Sequence, residues 1–384
     1  MKTKLLLFAA VVAISLTSCL KDEAVTVTRA YELDDYETIK AHLNLPIQVD
    51  DYVLRLPATV GGFEVFADNK QATLGRVLFY DKRLSSTKEV NCASCHKPEL
   101  AFTDGEQFSL GVATERTSRN TLALGSFPSF NAYYGFGGTR MFWDNRVATV
   151  MEQSAETMKN PVEMGNVDLA DVADKLLQEE YYKILFKNAF PHQTYLSNEE
   201  KMLMALQAFV SSIGCFNTKY DQELIKNNGN AKVEFAKFTA QENRGKELYN
   251  TNCASCHNLG AVAFSTGIVA ANNGLDINYQ DTGVGAISNM PSEIGVFKTP
   301  MLRNIELTGP YMHDGRFATL EQVVEHYSTG IKNHPNLHEN LKENGVAKPL
   351  NLNESDKQAL VAFLRTLTDK ESLLASRYSD PFKH

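Results

Sequence analysis

Apolar positions along this chain recur with the helical period rather than the alternation expected of strands. Asn198-Glu199-Glu200 opens an amphipathic run that continues through Ile213, and further runs cover Phe235–Tyr249, Thr319–Tyr327 and Ser355–Leu367. The Gly- and Asn-rich stretches Asn227–Asn230 and Ala270–Asn278 read as linkers and loops, and no convincing set of strand patterns accompanies them. The pattern also repeats. LGRVLF at Leu74–Phe79 precedes the six residues NCASCH at Asn91–His96, and RGKELY at Arg244–Tyr249 precedes a second NCASCH at Asn252–His257. Each unit reads as a helix with a glycine near its start, running into the cysteine motif. The expectation is an all-α chain built from two similar small helical domains joined near residues 222–232.

The N-terminus follows a different pattern. MKTK and the apolar stretch Leu5–Leu16 have the layout of an export signal, and the apolar part is too short to span a bilayer comfortably. Leu16-Thr17-Ser18-Cys19 resembles a bacterial lipobox. It predicts a signal peptide over residues 1–18, a lipid on Cys19 that tethers the protein to a membrane, and a tether over 19–50. The plainer alternative is an ordinary signal peptide followed by an incidental cysteine. Either way the 384-residue chain is expected outside the cytoplasm, on the periplasmic side or in the cell envelope. Its composition, 43% hydrophobic and 22% charged, is that of a soluble globular protein. A net charge of −8, more acidic still without Lys2 and Lys4, argues against nucleic acid as a partner, because phosphates need a basic face. It permits docking of a small basic protein.

Six cysteines are present: Cys19, Cys92, Cys95, Cys215, Cys253 and Cys256. With Cys19 lipidated and four cysteines in the NCASCH pair, only Cys215 remains, in the apolar helical stretch LQAFVSSIGCF, as a buried free thiol. No disulfide framework is left, so the paired cysteines have another use. In CxxCH the two cysteines lie on one side of a helical turn and can form thioethers with the vinyl groups of a haem, while the histidine reaches the iron. A zinc half-site would need two more ligands beside each pair, or both CxxC motifs in one site. A thioredoxin-like redox pair would need a strand–helix context that is missing. Two copies in an exported helical chain therefore point to two haem c groups. Cys92, Cys95, Cys253 and Cys256 are the attachment points, with His96 and His257 as proximal ligands.

From about Leu74 to Leu367 the chain resembles the bacterial di-haem cytochrome c peroxidases and their relative MauG. The resemblance is carried in order by LGRVLFYDKRLSS, AFTDG, SRNT, FWDNR, NPVEMG, KTPMLRN and GPYMHDGRFATLEQVV. It implies a peroxidatic haem domain over 51–225 and an electron-transfer haem domain over 232–375, with calcium at their interface and a tendency to form homodimers. By position, Trp143 matches the tryptophan between the haems, and Gln153 and Glu163 match the polar pair of the peroxide pocket. Asn120, Thr308 and Pro310 match the calcium positions and offer neutral oxygens to a hard cation. Pro161, Met164 and Gly165 place Glu163 in a turn, where burial would raise its pKa and suit it to moving protons.

Three positions depart from the family pattern. Where many relatives carry a histidine that blocks the peroxidatic iron, this chain has Val112 in Ser109-Leu110-Gly111-Val112. Valine cannot ligate, so an open site without prior reduction is expected. At the second haem the local candidates for the sixth ligand are Met301, Met312, His313, His326 and Tyr327. Methionine is the default for an electron-transfer cytochrome, yet the family ligand position, fourteen residues beyond His313, falls on Tyr327, as in MauG. His326 points about 100° away on a helix, so only one of the two can face the iron. Finally, Thr157 stands where a proline is common. The resemblance thus implies a peroxidase that reduces hydrogen peroxide to water with electrons from a donor protein or small reductant. The alternative it implies is a MauG-like enzyme oxidising residues of a partner protein. A non-enzymatic electron carrier would require both irons to be blocked.

Overall fold

The computed structural model describes residues 30–124, 140–259 and 270–384, apart from 61, 63 and 66. Residues 1–18, expected as a signal peptide, and Cys19 lie outside the described residues. No helix among those described is long and apolar enough to cross a membrane. Helices form the frame. The strands among the described residues are two-residue antiparallel pairs: Leu54–Arg55 with Glu64–Val65, Ala270–Ala271 with Phe297–Lys298, and Lys342–Glu343 with Val346–Ala347.

Two large apolar cores organise the described interior, beside a small cluster of Leu54, Leu56 and Phe216. The first gathers side chains from Tyr31 to Cys215, and Leu373 and Tyr378 return to it from the far end of the chain. The second runs from Tyr220 to Leu367. Each is organised around one close helix crossing. The Asn69–Tyr80 helix crosses the Asn198–Ser212 helix at Gly75, where a Cβ would stand 1.9 Å from the Ala205 carbonyl oxygen and 2.8 Å from the Phe209 Cβ. The Ala240–Asn252 helix crosses Glu354–Arg365 at Gly245, where a Cβ would stand 1.9 Å from the Ala359 oxygen and 2.7 Å from the Phe363 Cβ. The repeated glycines therefore sit mid-helix, not near the helix start, and they are required because only a residue without a side chain lets the two backbones meet.

Helix ends follow capping chemistry more closely than apolar periodicity. The run expected over Phe235–Tyr249 becomes a helix only at Ala240, where Thr239 and Glu242 close a capping box; Phe235 and Phe238 enter the second core ahead of it. The Thr319–Tyr327 run is regular over Leu320–Glu325 and then widens into a π-type turn over His326–Gly330. Cys215 is a buried free thiol but lies beyond the helix, which ends at Ser212.

The two NCASCH copies sit in different settings. Asn252 is the last residue of the Ala240–Asn252 helix, which runs directly into the second motif. The first helix stops at Tyr80, and ten further residues intervene before Asn91 caps a separate short helix, Cys92–Cys95. That intervening segment braces a distant turn: Ser86 N donates to the Met164 carbonyl at 2.9 Å, and the Leu84 carbonyl accepts from Asn166 Nδ2 at 2.7 Å.

Candidate functional site

A cavity of about 540 Å³ opens in the first half, within the range of small-molecule sites. Phe79, Cys92, Cys95, His96, Leu206 and Val210 are among the residues lining it. His96 Nδ1 lies 2.7 Å from the Phe102 carbonyl, which it reaches as a donor, leaving Nε2 to act as a ligand. Burial pushes the Cys92 thiol up to about 12 and that of Cys95 to about 11, as for groups enclosed in apolar surroundings.

Another wall of the same cavity carries the polar residues. Thr149 and Glu152 close a capping box that starts the Val150–Lys159 helix, and this helix presents Gln153 and Thr157 one turn apart. The turn after it brings in Glu163. Gln153 Nε2 donates to Thr157 Oγ1 at 2.9 Å, and Asn160 Nδ2 donates to Glu163 Oε1 at 2.9 Å. Burial raises the Glu163 pKa. Val112 is buried, and its N–H donates to the Val162 carbonyl at 3.0 Å, docking its loop on the Glu163 turn. Its Cγ2 lies 3.2 Å from where a Cβ on Gly165 would be, and Gly111 lines the cavity beside it.

Trp143 joins the halves. Its Nε1 donates to the Asn120 carbonyl at 2.8 Å, and its own carbonyl accepts from Lys298 N at 2.7 Å. Two residues further on, the Pro300 carbonyl lies 2.9 Å from His257 Nδ1, orienting the second histidine as Phe102 orients the first. Arg119 spans the same junction, with Nη1 2.6 Å from Asp144 Oδ2 and Nε 2.6 Å from Asp281 Oδ2.

Around the second motif, the Tyr249 hydroxyl donates to the His257 carbonyl. Burial pushes the Tyr327 hydroxyl up to about 12, against a hydrogen bond from Asn273. Asn273 Nδ2 is 3.5 Å from both Tyr327 Oη and Met312 Sδ. Of the other candidates, His326 Nε2 is engaged with the Asn273 carbonyl at 3.1 Å, and His313 stacks on Phe297 with centroids 3.7 Å apart. Met301 lines the first cavity. Asn120 N donates to the His313 carbonyl at 2.8 Å, which lays Asn120 beside the loop carrying Thr308 and Pro310; a cis peptide joins Gly309 to Pro310.

One pairing escaped the sequence reading although its signal was present. A shift of 170 residues superposes Gly75 on Gly245, Met141–Val147 on Tyr311–Phe317 and Thr149 on Thr319. Both seven-residue stretches close an antiparallel bridge at their ends, and both threonines cap a helix. The same shift places Trp143 on His313 and Thr157 on Tyr327.

Comparison with known proteins agrees with this layout. The profile of the family described as di-haem cytochrome c peroxidase matches residues 69–229, and the cytochrome c profile matches residues 242–368. The methylamine utilization protein MauG of Paracoccus denitrificans (strain Pd 1222) is 32% identical, over 79% of this chain and 90% of its own. The chain belongs to the di-haem cytochrome c peroxidase and MauG family. Its fold is the cytochrome c-like helical one, and membership implies haem c in both halves. Cytochrome-c peroxidase IdrP1 of Pseudomonas sp. (strain SCT) is 28% identical, over 82% of this chain and 85% of its own. A crystal structure of a MauG-like protein associated with microbial copper homeostasis is 30% identical, with a TM-score of 0.69, covering 87% of this chain and 98% of that one.

Proposed function

We propose that this family member is a cytochrome c peroxidase, which reduces hydrogen peroxide to two waters with two electrons and two protons. The observation that carries the reading is the meeting of half-buried Glu163 and Gln153 with His96, Cys92 and Cys95 in one cavity. The donor set fits haem c: each cysteine pair is free, and each histidine has Nδ1 tied to a carbonyl and Nε2 available. Cys92 and Cys95 would hold the first haem and Cys253 and Cys256 the second, with His96 and His257 available to ligate iron and Tyr327 available to the second. Haem c supplies the redox-active iron.

The side chains do the rest. Gln153 orients the bound peroxide oxygens. Glu163 takes a proton from one oxygen and returns it to the other, so that the departing oxygen leaves as water. Its setting suits the task, because a carboxyl whose pKa is raised toward the working pH is a stronger base when ionised and can still return the proton it has taken. Electrons from an external protein or small reductant enter at the second half and pass by Trp143, whose backbone is bonded to the strand that leads to Pro300. Val112 leaves the first site open without reductive activation. Asn120, Thr308 and Pro310 would hold calcium, offering amide and carbonyl oxygens. The expected haem domains, 51–225 and 232–375, act with their ends exchanged, Tyr220 and Leu224 joining the second and Leu373 the first, and lipid on Cys19 anchors the exported protein.

Steady-state peroxide reduction with a panel of donors, run with and without prior reduction, tests this reading. Turnover by the unreduced protein and a high-spin ferric signal are expected. Two low-spin haems with no peroxide consumption would sink it. Tyr327→Phe should change the spectrum of the second haem alone. MauG-like oxidation of a partner protein is the second reading, favoured by the 32% identity to MauG and by Val112 and Tyr327. Peroxide-dependent mass shifts in a co-encoded secreted protein would establish it.

A further inference from the structure

We propose that the stacked pair Phe297 and His313 forms the second-half end of the electron path through Trp143, both rings acting as positioning residues that couple the tryptophan to the second haem's site. The proposal rests on reading Trp143 as the link between the haems. One electron at a time leaves the second haem and reaches the first; no bond forms or breaks, and neither ring of the stack is itself oxidised or protonated. What the rings supply is contact, because an electron tunnels more readily through bonds, hydrogen bonds and touching side chains than across a gap.

The contacts form a closed circuit. The Trp143 indole Nε1 donates to the Asn120 carbonyl at 2.8 Å, and Asn120 N donates to the His313 carbonyl, also at 2.8 Å. His313 lies nearly parallel to Phe297, with 13° between the planes and 3.7 Å between the centroids. Phe297 is followed by Lys298, whose N–H returns to the Trp143 carbonyl at 2.7 Å. The tryptophan is therefore tied to one stack twice, through its side chain and through its backbone. Trp143, Asn120, Phe297 and His313 are all buried, none more than 9% exposed, so little water enters the circuit.

From the stack the chain reaches the second site along two routes. Three residues past Phe297, the Pro300 carbonyl lies 2.9 Å from Nδ1 of His257. One residue before His313, Met312 Sδ accepts from Asn273 Nδ2 at 3.5 Å, and the same nitrogen is 3.5 Å from Tyr327 Oη. The internal repeat supplies an independent reason. The 170-residue shift that matches Met141–Val147 to Tyr311–Phe317 puts Trp143 and His313 at the same place in the same bridged turn. Each half thus brings one aromatic residue of its turn to the junction, and Asn120 bonds to both, by its carbonyl to the first and by its N–H to the second.

A single electron delivered to the ferric holoprotein by a flash-generated reductant reads this path without peroxide or turnover. Its redistribution between the haems is followed from their separate spectra, and both potentials are titrated in each variant. His313→Leu should slow redistribution several-fold with the potentials unchanged, and His313→Phe, which keeps a ring on Phe297, should restore it. Phe297→Leu should slow it likewise, and serves if the His313 variants do not take up both haems. Combining His313→Leu with Trp143→Phe should be no slower than Trp143→Phe alone, because the two lie on one path. Multiplied effects would put the stack on a separate route and overturn the proposal. Unchanged redistribution in both leucine variants would overturn it too, as would a slowing that shifted potentials account for. A Trp143→Phe variant that redistributes at the wild-type rate would overturn the reading of Trp143 on which the proposal rests.

Discussion

The two halves share a skeleton and differ in what faces the cysteine motif. In both, a glycine permits the central helix crossing, a threonine caps the helix that follows an Asp-x-Arg turn, and the motif histidine gives Nδ1 to a backbone carbonyl. The facing residues diverge. Gln153, Thr157 and Glu163 in the first half correspond, at the same shift, to Val323, Tyr327 and Asn333 in the second. The first half also has the segment between Tyr80 and Asn91 that braces the turn of Met164 and Asn166, whereas the second helix enters its motif directly. The second half is pinned instead by Arg303 and Asp221, both fully buried, with Nη2 2.7 Å from Oδ1. Identical anchors can thus serve unequal ends, because function is assigned by the opposing helix and its supports.

Breaking the first half's chemistry should have the largest effect. Glu163→Gln is expected to slow the reaction with peroxide by about 100- to 10,000-fold in rapid-mixing experiments, leaving the second haem's spectrum unchanged. The same variant carries a pH signature. Because burial raises the Glu163 pKa, the folded protein holds a proton that the unfolded chain has released, so stability falls as pH rises from the ordinary carboxylate range through the folded value. Thermal unfolding across that window should show the fall in wild type and not in Glu163→Gln.

Next comes the second half's buried pair. Asp221→Asn strands a buried guanidinium and should cost roughly 3–5 kcal/mol in denaturant unfolding, with damage centred on the second core. Gly75→Ala and Gly245→Ala each force a Cβ against a carbonyl oxygen, and about 2–3 kcal/mol is expected from either. Haem uptake should suffer in the half that carries the substitution, and equal damage to both halves would show that the cores are not independent. The smallest effect is expected at the junction: Arg119→Met removes the link from Asp144 to Asp281, should cost about 1 kcal/mol, and should slow electron exchange between the haems.

The residues of the chain carried a good deal of this in plain view. NCASCH twice, the helical period and the ordered motifs were legible because covalent attachment, amphipathicity and backbone turns each demand particular residues at particular spacings. Helix bounds were less so: Phe235 and Phe238 keep the apolar period but precede the cap at Thr239, and an apolar residue packs equally well just outside a helix. That Tyr220 belongs with the second core, and Leu373 and Tyr378 with the first, depends on where chain ends return, which no local pattern encodes.

Thr157 marks the dividing line. One-dimensional order makes it a departure from a proline, and the shift that matches it to Tyr327 is written in the chain. Its bond to Gln153 joins positions one helical turn apart, but its place in one cavity with Glu163 and His96 arises only when that helix and the turn after it pack over the cysteine motif, braced by Leu84 and Ser86. Spacing along a chain fixes which residues can share a helical face. Which groups meet across a cavity is set by packing between segments far apart in the chain, and there this protein separates its two haem sites.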